Sequence, residues 1–520
     1  MGDLVTTMRN NRVRIITIIV LAFVFFTAIQ GMETKDWVIT VLRGLSVGAI
    51  TFLVASGLSL IFGLMDVLNL AHGEMFMLGA YVGWTVYVRP DTFIDALVPL
   101  AFLSVGLMLI PIWGSLLARL KLPQTAVQIW PWIALIIGLI ILAFSITKFP
   151  IMRWDPEDYA ASPISNALAL GQGTLVLPQA DVLTGGVMTA AIVGTLLGGA
   201  LLGLATAGLR GRKQVAKQTR IDRGPLLAAG GLLLLGFVAL FANDAITAAL
   251  FSLSTTARFF VAMGVAIIVG LILGALVEVT MIRPLYDRPI YQLMITLGLS
   301  FIIIELVRAV WGRPEFTMPK PELWAGTGDL CPATSFGDAI ANQCSTILLF
   351  DGRIRTYNEI FIIFIGVVVL VGIWLLLQRT RIGMIIRAGV QDSEMVEALG
   401  INVRIIFTLV FALGVALASL GGILAAPSTG LSIEMGTRVL LLALIALAIG
   451  GLTSFPGAAV GAVLVGLLQQ FIIKYGSIGI NLPFLAEPLK PSPPLVPAST
   501  VLLMVIILLI LPNGLFGRSE

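Results

Sequence analysis

The fold class expected from the sequence is an all-α polytopic membrane protein, and three observations lead there. Hydrophobic residues make up 58% of the chain and charged ones only 12%, with a mean hydropathy of +1.03; lipid can cover that much apolar surface where water cannot. Apolar runs of about 17 to 25 residues recur along the whole length, each long enough to cross a hydrocarbon core of about 30 Å as a helix. Without water the backbone must bond to itself, which selects helices, and the runs do not alternate as barrel strands would.

About 13 spans are expected, counting one broken or re-entrant helix pair near 448–460. The first, 15–31, comes after the basic stretch MRNNRVR; AIQGMETKDW makes a poor cleavage site, so residues 1–36 read as a retained N-terminal anchor. Spans 38–63 and 75–88 flank NLAHGEMFMLGAY, and 97–118, 130–148, 186–209 and 226–243 come next. The remainder are 259–281, 292–310, 359–377, 405–425, the two half-helices of 438–474, and 497–511. Gly450, Gly451, Pro456 and Gly457 interrupt that penultimate run. A break at membrane depth needs protein or water over its freed backbone, so it marks a mobile or pathway-lining element. A plain turn between two short spans is the alternative.

Charge supports one threading. With a cytoplasmic N-terminus, the basic stretches 119–121, 210–223, 283–288 and 379–387 fall inside, and Glu33, Asp36, Asp91, Asp95, Asp155, Glu157, Asp158, Glu315, Glu322, Asp329 and Asp338 fall outside. The net charge of +4 therefore reports orientation rather than nucleic-acid binding. Cys331 and Cys344 share one external loop, 312–358, where a disulfide and two unpaired thiols are both open. Glycines four apart (Gly194/Gly198, Gly199/Gly203, Gly270/Gly274, Gly457/Gly461) suit close helix packing in lipid.

Catalytic chemistry finds little support. The sequence carries no Walker A pattern, no H-E-x-x-H and no paired Cys-x-x-Cys, and its single histidine, His72, cannot make a multi-histidine metal site or support a serine nucleophile. The ionisable residues inside spans, Glu278, Glu305 and Arg308, have pairing partners nearby: Arg283 for the first, each other for the second and third. His72 and Glu74, with Asn69 as a cap and Gly73 for close approach, form a polar corner at the inner membrane edge that sets the third span or acts in gating.

The segment RTRIGMIIRAGVQDSEMVEALGINVRIIF (379–407) is amphipathic and charged. Asp392, Ser393 and Glu394 suit a helix start, Met395, Val396, Ala398 and Leu399 an apolar side, and Gly400 a stop. Such a capped helix outside the membrane suits docking in a groove; an ordinary interfacial connector is the alternative.

Together with GLSVGAITFLVASGLSLIFGLMDVLNLAHGEMFMLGAYV (44–82), RPLYDRPIYQLMITLGLSFIIIELVRAVWG (283–312) and AIGGLTSFPGAAVGAVLVGLLQQF (448–471), this segment resembles the permease subunits of branched-chain amino acid ABC importers. The resemblance implies a permease core at 37–88 and 259–520. Residues 89–258 then read as an inserted membrane segment of about four extra spans, an even number that preserves the sidedness of the later spans. It implies that Arg387, Ala388, Asp392, Glu394, Ala398, Leu399 and Gly400, within a cytoplasmic coupling loop at 379–404, dock on an ATPase. It also implies a second permease subunit, two cytoplasmic ATPase subunits that bind the ATP, an external solute-binding protein, a bacterial inner-membrane location, and no cofactor or metal of its own. The expected cargo is a branched-chain or other apolar amino acid, with an amide, urea or sugar as alternative cargo and a gradient-driven transporter as alternative class.

Overall fold

The computed structural model describes residues 2–117, 123–149, 162, 165–166, 168–169, 172, 174, 185–209, 223–286, 288–312, 315, 317–391, 393–480 and 487–517. Eleven helices among them are long and apolar enough to cross a membrane, and two apolar helices of 16 residues accompany them. The protein is a multi-pass membrane protein. Its chain forms two compact units: residues 1–84, 156–171 and 255–520 make the first, and residues 85–155 and 172–254 the second.

The first unit is built around α2 (Thr34–Met65), which follows α1 (Gly2–Gln30) and precedes α3 (His72–Val88). After the second unit come α10 (Thr255–Val277) and α11 (Pro289–Trp311), a long loop, α13 (Ile362–Arg379), and the short α14 (Arg381–Gln391) and α15 (Ser393–Ala398). The chain ends with α16 (Val403–Thr429), α17 (Met435–Gly450), α18 (Phe455–Ile478) and α19 (Leu495–Ile510). Glycine decides which helices touch. A Cβ on Gly44 would sit 2.8 Å from Leu467 Cα, and one on Gly48 3.1 Å from Val463 Cα, so α2 and α18 run antiparallel with their backbones in contact. Gly270 and Gly274 bring α10 in the same way onto Ala416 and Ala412 of α16, as their spacing in the sequence suggests.

The loop between α11 and α13 holds the one two-stranded sheet among the described residues. The short helix α12 (Phe336–Ala341) precedes a hairpin of β1 (Thr346–Leu349) and β2 (Gly352–Arg355), closed by Phe350 and Asp351 at φ 48° and 61°. Two consecutive left-handed residues make the tight turn that matches strand twist. Cys331 and Cys344 are joined by a disulfide, and Cys344 packs with Val38, Ala333, Ala339, Ile347 and Ile354 in a small core.

The second unit comprises α4 (Pro90–Met108), α5 (Ile110–Leu117), α6 (Gln124–Ile146), α7 (Gly185–Leu209), α8 (Arg223–Phe241) and α9 (Asn243–Ser252). Ile94, Val98, Phe102, Phe149, Ala191 and Ala239 form its core. Gly106 meets Gly199 backbone to backbone, and Gly236 receives the Phe102 ring. Asp91 and Asp95, expected in an external loop between spans, lie buried in the first turns of α4. Arg89 neutralises Asp91 at 2.8 Å, and Asn243 Nδ2 donates to Asp95 at 2.5 Å. A partner inside the fold makes burial of each carboxylate tolerable.

The expected third span, 75–88, and the expected half-helices of 438–474 differ in detail. α3 has 17 residues, about 26 Å at 1.5 Å per residue. α17 and α18 are two helices, and the 24 residues of α18 make it a full-length span rather than a half-helix.

Candidate functional site

Three places gather the residues singled out from the sequence, and the first surrounds His72. α2 ends at Met65 with Asp66 in the left-handed region at φ 51°. The Asn69 Oδ1 then accepts from Ala71 N at 3.0 Å, and His72 N donates to Asn69 O at 3.2 Å, so an asparagine turn starts α3. A Cβ on Gly57, eight residues inside the end of α2, would lie 2.9 Å from His72 Nε2 and against Gly414 O, eleven residues into α16. Eight and eleven residues of helix correspond to about 12 and about 16 Å. Residues 66–71 thus lead the chain back between the helices, where glycines at 57 and 414 leave room for the imidazole.

Asn69, His72 and Glu74 are all essentially inaccessible, at 0%, 0% and 1% exposure. Gly73 packs on the Gly436 backbone at the start of α17, which no larger residue would allow. Glu74 Oε1 accepts from Thr437 Oγ1 at 3.1 Å, and Ser300 of α11 stands against the same carboxylate. Leu70 N donates to Thr296 Oγ1, one turn before Ser300, at 3.3 Å. Gln292, Thr296 and Ser300, all buried, thus form one polar stripe on α11; their four-residue spacing is visible in the sequence, but the reading by charge and motif passes over it. The Val54 carbonyl faces the His72 ring. Even so, Asn69 Nδ2, both His72 ring nitrogens and Glu74 Oε2 have no hydrogen-bond partner of good geometry among the described residues. Each such atom costs about 1–3 kcal/mol when left unmet.

The second place is the α17–α18 hairpin. Gly450 and Gly457 meet backbone to backbone, as do Ala446 and Gly461, so the two helices run antiparallel from a tight turn. Gly451 takes φ 108°, Ser454 Oγ accepts from Gly457 N at 3.1 Å as an N-cap, and Pro456 occupies the first turn of α18. The carbonyls left free at the end of α17 are met by the chain's own C-terminal stretch: Leu515 N donates to Ile449 O at 2.8 Å and Phe516 N to Gly450 O at 2.9 Å.

The third place is the segment 379–404. α14 and α15 form a short bent pair, and Gly400, at φ 82°, ends α15 with its N–H on Glu397 O at 2.9 Å. Arg387 is exposed and donates to Gln378 Oε1 at 2.9 Å; Ala388 is half-buried. Val396 is buried at 3%, whereas Met395 and Leu399, four apart, are 59% and 72% exposed, and Ala398 is exposed between them. Glu394 lies in the first turn of α15, and Asp392 lies outside the described residues. Just beyond, Glu278, in a π-helical turn after α10, holds α16: it accepts from Arg283 at 2.8 Å, from Thr408 Oγ1 at 2.7 Å and from the Tyr286 hydroxyl. Burial and the Glu278 carboxylate hold the Tyr286 phenol well above its ordinary pKa. The Glu305–Arg308 pair also forms, at 2.5 Å.

The family described as "Branched-chain amino acid transport system / permease component" matches residues 40–177 and 223–511. The chain belongs to this family. Relatives of the permease include the high-affinity branched-chain amino acid transport system permease protein BraD of Pseudomonas aeruginosa, 25% identical over 273 residues that cover 50% of this chain and 75% of BraD. The corresponding LivH protein of Escherichia coli K12 is 24% identical over 257 residues, 49% of this chain and 73% of LivH. The fructose import permease protein FruF of Bifidobacterium longum is 33% identical over 124 residues, 22% of this chain and 34% of FruF. No solved structure matches the permease.

Proposed function

We propose that this permease is the membrane subunit of an ATP-driven importer that moves branched-chain or other apolar amino acids inward by alternating access. It works with a second permease subunit, two cytoplasmic ATPase subunits that bind the ATP, and an external solute-binding protein, in a bacterial inner membrane with its N-terminus cytoplasmic. The observation that carries the reading is the exposed apolar side of α15. Met395, Ala398 and Leu399 are solvent-exposed beside charged residues, on a short helix joined through Gly400 to α16. That surface suits a groove on a soluble partner. Arg387, Ala388, Asp392 and Glu394 belong to the same docking segment, while the α3 start and the Gly450–Gly457 turn serve as hinges of the pathway.

Co-purification tests the docking. Leu399→Glu places a charge on an exposed apolar position without touching the core, and Gly400→Arg strains a left-handed backbone. Both variants should lose a stably bound ATPase subunit and leucine uptake with it. Uptake that continues with every ATPase removed sinks the importer reading in favour of a gradient-driven transporter. The printed function of FruF supports a second cargo, a sugar, and competition of leucine uptake by fructose separates the two.

A further inference from the structure

Among the described residues three buried carboxylates come with a cation, and a fourth, Asp95, has the Asn243 amide. Asp91 has Arg89 at 2.8 Å, Glu278 has Arg283 at 2.8 Å, and Glu359 has Arg43 at 3.2 Å. Glu74, also fully buried, has neutral partners: Thr437 at 3.1 Å, Ser300 beside it and its own backbone N–H, and it takes part in no ion pair among the described residues. Its Oε2 is an unmet acceptor, and Asn69 Nδ2, five residues away, is an unmet donor. Between them His72 offers a ring whose two nitrogens are also unmet. The start of α3 adds the positive end of a helix dipole, although its His72 and Met75 N–H groups already donate to Asn69 O and Ala71 O. One small molecule answers the carboxylate and the amide at once: an α-ammonium for Glu74, and an α-carboxylate for the Asn69 amide at the helix start.

We propose that Asn69, His72 and Glu74, with Thr437 and Ser300, form the transit site for the zwitterionic headgroup of an amino acid, Glu74 taking the ammonium and Asn69 with the α3 start taking the carboxylate. The assignment rests on the amino-acid import reading. The structure shows this site closed. Its lid is the contact of Gly73 with the Gly436 backbone and the Leu440 side chain, so separating α3 from α17 opens it. A sugar hydroxyl can donate and accept, but it leaves the carboxylate without a positive charge.

The test uses the full chain in lipid nanodiscs and ¹⁹F NMR of 5,5,5-trifluoroleucine, which reads weak binding. Leucine should displace the probe from the wild type, while 4-methylpentanoate, lacking the ammonium, and isoamylamine, lacking the carboxylate, should do so at least about tenfold more weakly. Glu74→Gln keeps the shape and removes the charge, and should weaken probe binding by about tenfold or more; Thr437→Val, which only loosens the carboxylate, should weaken it less. If Glu74→Gln does not fold, a weakened Thr437→Val and the analogue series decide. Unchanged binding in folded Glu74→Gln means that Glu74 is a neutral structural group and overturns the site, as does wild-type protein from which leucine displaces nothing, a cluster met by water alone. Failure of the import reading looks different: the complete reconstituted importer then takes up no leucine at all.

Discussion

Replacing Glu278 by alanine removes the anchor of a four-residue network. The carboxylate, itself inaccessible, accepts from Arg283 Nε at 3.1 Å and Nη2 at 2.8 Å, from Thr408 Oγ1 at 2.7 Å and from Tyr286. Breaking a fully buried ion pair costs about 3–5 kcal/mol, because the partner's charge stays behind. The Arg283 side chain keeps 30% of its exposure, so water recovers part of that loss, and about 2–3 kcal/mol remains. Thr408→Val should cost about 1 kcal/mol, the worth of one hydrogen bond. Since both variants remove the same contact, the double variant should fall short of the sum by about 1 kcal/mol. Glu278→Leu combined with Arg283→Met should recover much of the single loss, for no stranded charge remains. Unfolding by SDS titration in mixed micelles reads all four. The reasoning is refuted if Glu278→Ala costs less than about 0.5 kcal/mol, or if the double variant is fully additive.

Three other parts of the fold give further expected outcomes. Gly450→Val drives a side chain into the Gly457 carbonyl and should destabilise by about 1–3 kcal/mol in the same titration, whereas Gly298→Ala, with nothing within 4 Å of the added carbon, should change it by less than about 0.5 kcal/mol. Reducing Cys331–Cys344, which closes a sequence separation of 13, should destabilise the loop core by about 3 kcal/mol and expose 325–355 to limited proteolysis; no gain in cleavage with reductant counts against it. Burial first, and Arg355 second, lower the Lys320 pKa below 10.5. A depressed folded pKa contributes stability above the unfolded value that is lost as pH falls through the folded one, so proteolytic protection of this loop should rise between that lowered pKa and 10.5. Lys320→Met should flatten the rise.

Much of the architecture is legible in the sequence because lipid imposes a single rule on length and polarity. Apolar runs locate the spans, and glycine spacing foretells the contacts of Gly270 and Gly274 with α16. Local chemistry also reads well at Gly400, where a left-handed stop needs no tertiary information. What escapes the sequence depends on partners far along the chain. Nothing near residue 72 announces Gly414 beside its ring, and nothing near Asp95 announces Asn243. The Gln292–Thr296–Ser300 stripe is in plain view but looks too mild to matter until Glu74 meets it. The hairpin at Phe350–Asp351 carries no glycine in its turn and gives no signal.

The way α2 is seated has a mechanical consequence. Helices that interlock through side chains must lift those ridges over one another before they can shear. At Gly44, Gly48 and Gly57, α2 meets the backbones of α18 and α16 directly, with only the Leu467 and His72 side chains seated beside the glycines. It behaves there less as a bolt than as a bearing: held close by backbone contact, yet free to slide by small amounts. Stroke length in such a part is set by where the smooth track ends, and on α2 the bulky, fully buried Leu53, Leu58 and Ile61 are the stops.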